Sequence, residues 1–158
     1  MQWGRTMLRK GCVKDLKTGR VARELGYVAV CMCRYPRGMS KELIDVYSHK
    51  LAPTQELLDE FHAERKRLDN HNAAFLSMNY QKKFGLTPTA VEQLRDLAER
   101  AKSGDVFVVC QCEMKERCHR ELLLIAAKRW FGATTELRAF SYPDFEARLG
   151  DAPGELSS

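Results

Sequence analysis

The residues best equipped for chemistry fall in one stretch, Cys110 to Arg120, which holds Cys110, Cys112, Cys118, His119 and Arg120. An apolar run precedes it and an amphipathic run comes after, so the stretch reads as a turn from a buried strand into a helix. At a helix start the first backbone N–H groups lack partners and the helix dipole is positive, which favours an anion or a thiolate. Lys115, Arg117, His119 and Arg120 add positive charge. Cys118 and Glu121 have the spacing of a capping box, with sulfur in the hydroxyl position. A thiol so placed is expected to ionise easily. Cys118 is therefore the expected nucleophile or redox thiol and His119 its base or hydrogen-bond donor, the two forming the catalytic pair. Arg120 is expected to grip an anion.

Metal binding competes with that chemistry. Cys110, Cys112, Cys118 and His119 place four soft or borderline ligands within ten residues, a set that zinc or an iron–sulfur cluster would accept. The spacing differs from Cys-x-x-Cys knuckles, so no cofactor is the leading expectation. A tyrosine-phosphatase loop is excluded, because the residue six positions after Cys112 is Cys118, not arginine, and the turn has no glycine. Its charged side chains also argue against a rhodanese-like small-residue cradle.

A second set of candidates lies just past the apolar run from Gly26 to Cys33. Such a run suits a central strand buried on both faces. It opens into Arg34, Tyr35, Pro36, Arg37 and Gly38, a turn signature, with Lys41 just beyond. Ligands of open α/β sheets bind beyond the carboxyl ends of strands. Arg34, Arg37 and Lys41 are thus expected to bind substrate with Arg120. If the two apolar strands are parallel neighbours, Arg34, Arg37, Cys118, His119 and Arg120 converge on one pocket.

The remaining elements must position these groups. The first 25 residues are basic, read as a solvated face or a phosphate-binding flank, with a short strand near Thr6 to Leu8. Residues 39–103 read as helical. Ser40 caps a short helix through Tyr47, and Pro53-Thr54 opens a longer one whose apolar stripe is Leu57, Leu58, Phe61 and Leu68. Glu56, Asp59, Glu60 and Glu64–Arg67 form its solvated face. A third helix carries Phe75 and Met78 and ends near Gly85, and a fourth starts at Thr87 and stops at Ser103-Gly104. Asp105 to Cys112 is the second buried strand, and Cys118 to Phe131 is a helix stopped by Gly132. Thr134 to Tyr142 suggests a last strand and Pro143 to Leu149 a short helix. His49, His62 and His71 lack metal spacing and read as structural or exposed. Cys31 and Cys33 read as small core residues.

The chain has 158 residues, which suits one α/β domain over 1–150 with a flexible C-terminal tail over 151–158. The expected architecture is a small, mostly parallel sheet flanked by helices, Rossmann-like and three-layered. Net charge is +5, a mild excess that permits an anionic ligand without demanding one. No apolar run reaches membrane-spanning length. The first residues contain no apolar leader, and the cysteines suit a reducing compartment, so a cytoplasmic location is expected.

The segment from Arg34 to Lys41, with the Leu51-Ala52-Pro53 continuation, resembles one branch of the family called domain of unknown function 488. A buried strand ending in cysteine and leading to Cys118-His119-Arg120 resembles its Cys-His-Arg motif branch. The likeness covers about residues 26–130 and implies a compact α/β fold with a parallel sheet. It implies no established activity. Cys31 and Met32 depart from the acidic-basic pair of many members, and the doubled Cys110 and Cys112 is no family rule.

The resulting expectation is an anion-binding, thiol-containing pocket in an enzyme, or an enzyme-like binding domain, for a phosphate-bearing small molecule or nucleotide. Two alternatives stay open. One is a nucleic-acid-binding module that uses the basic N-terminal stretch, Arg65–Arg67 and Lys82-Lys83. The other is a structural protein whose metal sits on Cys110, Cys112, Cys118 and His119.

Overall fold

The computed structural model describes residues 5–151, so the expected tail beyond Asp151 lies outside the described residues. Four parallel strands form one sheet in the order β1-β4-β2-β3. They are β1 (Leu8–Cys12), β2 (Tyr27–Val30), β3 (Val46–Tyr47) and β4 (Val106–Cys110). The helices are α1 (Val13–Thr18), α2 (Gln55–Leu68), α3 (His71–Ser77), α4 (Tyr80–Lys83), α5 (Pro88–Arg100), α6 (His119–Phe131) and α7 (Pro143–Arg148). This is the expected parallel sheet with helices on both faces, in a single domain.

Alternation along the strands explains the layers. Side chains of a strand point to opposite faces in turn. Val28, Val30, Phe107 and Val109 enter one core with Val13 and Leu16 of α1, Met39 and Ile44. Ala29, Cys31, Val106 and Val108 enter the other, larger core against α2–α7. Both faces are covered, so β2 and β4 read as continuous apolar runs.

The start of the sheet is pinned by Asp105. Its carboxylate accepts the Met7 amide at 3.0 Å and pairs with Arg9 Nε at 3.0 Å. Its carbonyl accepts the Tyr27 amide at 2.9 Å. Gly26 is required beside it, because a Cβ there would lie 2.5 Å from the Asp105 carbonyl oxygen.

Helix α6 is tied to β1 by a buried ion pair. Lys10 Nζ lies 2.7 Å from Glu121 Oε2, the two side chains being 6% and 1% exposed. The Tyr142 hydroxyl donates to Glu121 Oε1 at 2.6 Å, and the Ala139 amide donates to Oε2 at 2.5 Å. Every oxygen of this buried carboxylate is therefore met, as burial of a charge demands.

Several expectations are corrected. Glu121 forms no capping box: its side chain turns into this network, and Cys118 makes no side-chain cap hydrogen bond. Lys10 and Arg9 are not a free solvated or phosphate-binding flank, being paired with Glu121 and Asp105. Thr134 to Tyr142 makes only one bridge, Leu8 with Thr135. The edge amide of Lys10 is instead taken by the Glu136 carboxylate at 3.0 Å, and Glu121 takes the Ala139 amide, so the ladder stops.

The helix expected from Ser40 to Tyr47 is a single 3₁₀ turn, Lys41–Leu43, capped by the Ser40 hydroxyl and leading into β3. Asp45 exchanges bonds with Val28 through both its amide and its carboxylate, at 2.9 and 2.7 Å, which draws the chain into the sheet. The third helix is two, α3 and α4, broken where Asn79 takes a left-handed φ of 57°. Helices α2 and α5 begin as expected, with Thr54 and Thr87 accepting from Leu57 and Ala90.

Candidate functional site

Parallel pairing of β2 with β4 places Val30 beside Val109, so both strands end at the same edge. Beyond that edge the two chain segments diverge. The segment after β2 sends Met39 and Ile44 to one core, whereas α6, after β4, packs in the other. Adjacent strands whose continuations leave on opposite faces open a crevice at their carboxyl ends. A cavity of about 300 Å³ lies there. Met32, Cys33 and Arg34 line it from the segment after β2, Gln111, Cys112 and Glu116 to His119 from the β4–α6 turn, and Phe61, His62 and Arg65 from α2. His71, Phe75 and Tyr80 complete its wall.

At its foot three thiols gather. Cys110 Sγ is 3.0 Å from Cys118 Sγ, and the Cys112 amide donates to Cys110 Sγ at 3.4 Å. The three sulfurs lie within 4.8 Å of one another. Alternation accounts for the meeting: Cys110 continues the face of Val106 and Val108, which is the face α6 covers, and Cys118 is the residue before the first turn of α6.

His119 is held by its neighbours. Its Nε2 lies 2.7 Å from the Cys31 carbonyl, which can only accept, so Nε2 carries the proton. In the neutral ring Nδ1 is then a bare lone pair, and it lies 3.4 Å from Cys118 Sγ. A thiol next to an imidazole lone pair has a proton acceptor in place.

Arg120 is buried at 1% exposure and turns away from the cavity. Its guanidinium donates to the carbonyls of Gly11 at 2.5 Å and Glu113 at 2.9 Å, while its Nε has no partner. No carboxylate pairs with it among the described residues. A buried charge without a counterion is costly, and the thiols stand in the carboxylate's place. Burial opposes ionisation of Cys118, but hydrogen bonds from Cys110 and Cys112 and the positive field of His119 and Arg120 outweigh it, holding its pKa well below the usual thiol value. The neighbours move the opposite way. Burial chiefly raises Cys110, and the thiol hydrogen bonds chiefly raise Cys112. One negative charge is thus shared among three sulfurs and centred on Cys118. Cys31 is pushed up to about 12 by burial and by the Cys118 charge, and stays a neutral core thiol.

Of the residues expected to bind substrate, Arg34 lines the cavity with Cys118 and His119. Arg37 and Lys41 are exposed and lie outside its lining. Arg120 stands behind the thiols rather than in the cavity. His119 lies apart from the sulfur set, which brings together Cys110, Cys112 and Cys118 only. Sequence reading did not place Arg65, His62, His71, Tyr80 or Glu116 in this cavity. Arg65 stood in a charge run that reads as a solvated face, and His71 is 47 positions from Cys118, with no spacing to signal it.

Fold and site together define a class: a parallel α/β protein with a thiol–imidazole pair in the crevice at its strand ends. The family model DUF488-N3a, described as the active DUF488-N3 subclade, matches residues 13–128, and the chain belongs to this family. No curated protein and no solved structure matches it. Within the described residues no helix is long and apolar enough to cross a membrane.

Proposed function

We propose that this protein is an enzyme that acts on a small phosphate-bearing molecule of the nucleotide class, with Cys118 as its reacting thiol. The observation that carries this reading is that one crevice holds the Cys118–His119 pair, two unpaired arginines and an aromatic wall. Arg34 and Arg65 are exposed at the cavity and have no ion-pair partner among the described residues. They suit the oxygens of a phosphate. Phe61, Phe75 and Tyr80 offer faces and edges to a flat organic body. The cavity volume of about 300 Å³ falls at the small end of ligand sites and suits a mononucleotide-sized molecule rather than a polymer.

Cys118 Sγ attacks an electrophilic centre of the bound molecule as the thiolate, its proton having passed to His119 Nδ1. As the sulfur bond forms, the bond from that centre to the leaving group breaks, and His119 gives the leaving group the proton. The family description speaks of an active subclade, in keeping with a catalytic role.

Timed iodoacetamide labelling with peptide mapping tests the thiol. Cys118 should label faster than a free cysteine at neutral pH, Cys118→Ser should abolish the fast phase, and nucleoside monophosphates should protect it. Labelling of Cys118 no faster than free cysteine removes the reacting-thiol role. Protection equal in wild type and in an Arg34→Ala/Arg65→Ala variant removes the phosphate grip.

A further inference from the structure

A second group of ligating atoms lies on the wall of the same cavity: His71 Nδ1, Cys112 Sγ and a Glu116 carboxylate oxygen, all within 4.8 Å of one another. Its most informative member is His71. The ring's Nε2 lies 2.8 Å from the Arg117 carbonyl, an acceptor only, so Nε2 carries a proton. Nδ1 is fully buried and has no hydrogen-bond partner, although Glu116 Oε2 stands 3.3 Å away. In a neutral ring this arrangement aims a lone pair at a carboxylate and a sulfur. Lone pairs that converge so repel, unless a proton on Nδ1 makes an ion pair with Glu116 or a cation occupies the space they share, and only a cation also engages the Cys112 sulfur.

The arrangement has the marks of a metal site. A ligating histidine usually gives its other ring N–H to a carbonyl or carboxylate, which fixes the tautomer; here the Arg117 carbonyl takes that part. Two ligands bound at about 2.05 Å across a tetrahedral angle lie about 3.3 Å apart, and the observed separation of Nδ1 and Oε2 is 3.3 Å. Nitrogen, sulfur and oxygen donors together suit zinc. Hydrogen bonds hold the turn that bears two of the donors. The Asn72 side-chain Oδ1 accepts the Arg117 amide at 2.8 Å, and the Glu116 carboxylate accepts the Glu113 amide at 2.8 Å.

We infer that His71, Cys112 and Glu116 form a zinc site with its fourth position open to the cavity. Three protein ligands and one open position are the pattern of catalytic rather than structural zinc. This deepens the reading of the crevice as an active site, since a phosphate oxygen of the bound molecule could take the open position. The ion's own ligands do not depend on that reading. The set differs from the one expected at the sequence level, sharing with it Cys112 alone.

Zinc-free protein titrated with Co²⁺, monitored by thiolate-to-cobalt absorption and by calorimetry with Zn²⁺, tests the site. One ion should bind per chain. His71→Ala and Glu116→Gln should each weaken binding by at least about tenfold, and Cys118→Ser should leave it within a few-fold of wild type. Matching circular dichroism of the variants excludes unfolding as the cause. Absence of binding overturns the site. So does an ion whose sulfur absorption vanishes in Cys118→Ser but persists in His71→Ala and Glu116→Gln, which would place it on the thiol cluster. Alkylation kinetics of the zinc-free protein report on Cys118 separately, so the two readings can fail independently.

Discussion

At the scale of single residues, the site depends on groups that touch no ligand. Arg120 supplies a fixed charge behind the thiols and closes two backbone carbonyls. Arg120→Met should lower stability by about 2–3 kcal/mol in urea unfolding, the cost of leaving hydrogen-bonding groups unmet. In zinc-free protein it should also slow alkylation of Cys118 several-fold, because the compensating charge is gone. Arg120→Lys should restore part of the reactivity and less of the stability, since an ammonium lacks the planar fork that reaches both carbonyls. Cys118 and His119 were legible as a pair because they are adjacent in sequence and precede a strong helix. The role of Arg120 was not. The motif marks it as a ligand for anions, and only the register of β1 reveals that the Gly11 carbonyl captures it.

At the scale of elements, the tie between β1 and α6 decides where Cys118 stands. Lys10, Glu121 and Tyr142 come from three separate parts of the chain and meet in the core. Lys10→Met should cost about 3–5 kcal/mol by leaving the Glu121 charge buried and unpaired. The double variant Lys10→Met/Glu121→Gln should regain more than half of that loss in the same unfolding measurement, because a neutral amide can still accept from Ala139 or Tyr142. Equal instability of the single and double variants would show that the charge is not what matters. The strands β2 and β4 were readable from their length and apolar continuity, α5 from its cap and stripe, and α6 from the Gly132 that stops it. Strand β3 was not, being two residues long and held by the Asp45 carboxylate rather than by its own propensity. The break at Asn79 was also hidden, since Phe75 and Met78 keep a helical spacing up to it.

For the whole molecule, fold class was legible in two buried runs separated by helical sequence, which implies parallel strands joined by crossovers. Strand order was not, and it is what matters for the crevice. Had β4 not paired with β2, Arg34 and Cys118 would not share a cavity.

The insertion of β4 between β1 and β2 also bears on how the chain is made. Neither of the earlier long strands touches the other: β1 has no strand partner until Val106–Cys110 is made, and β2 has only the two-residue β3. During synthesis the described part of the first hundred residues therefore holds only the short β2–β3 pair of the sheet, its apolar segments open to chaperones and proteases until the last third of the protein appears. A chain ended at Lys102 should be cut readily by trypsin between residues 8 and 30, whereas one ended at Gly150 should resist under the same conditions. Resistance in the shorter chain would mean that β1 and β2 find some other partner. The central strand thus acts as a late key, and the crevice is born only when the fold is.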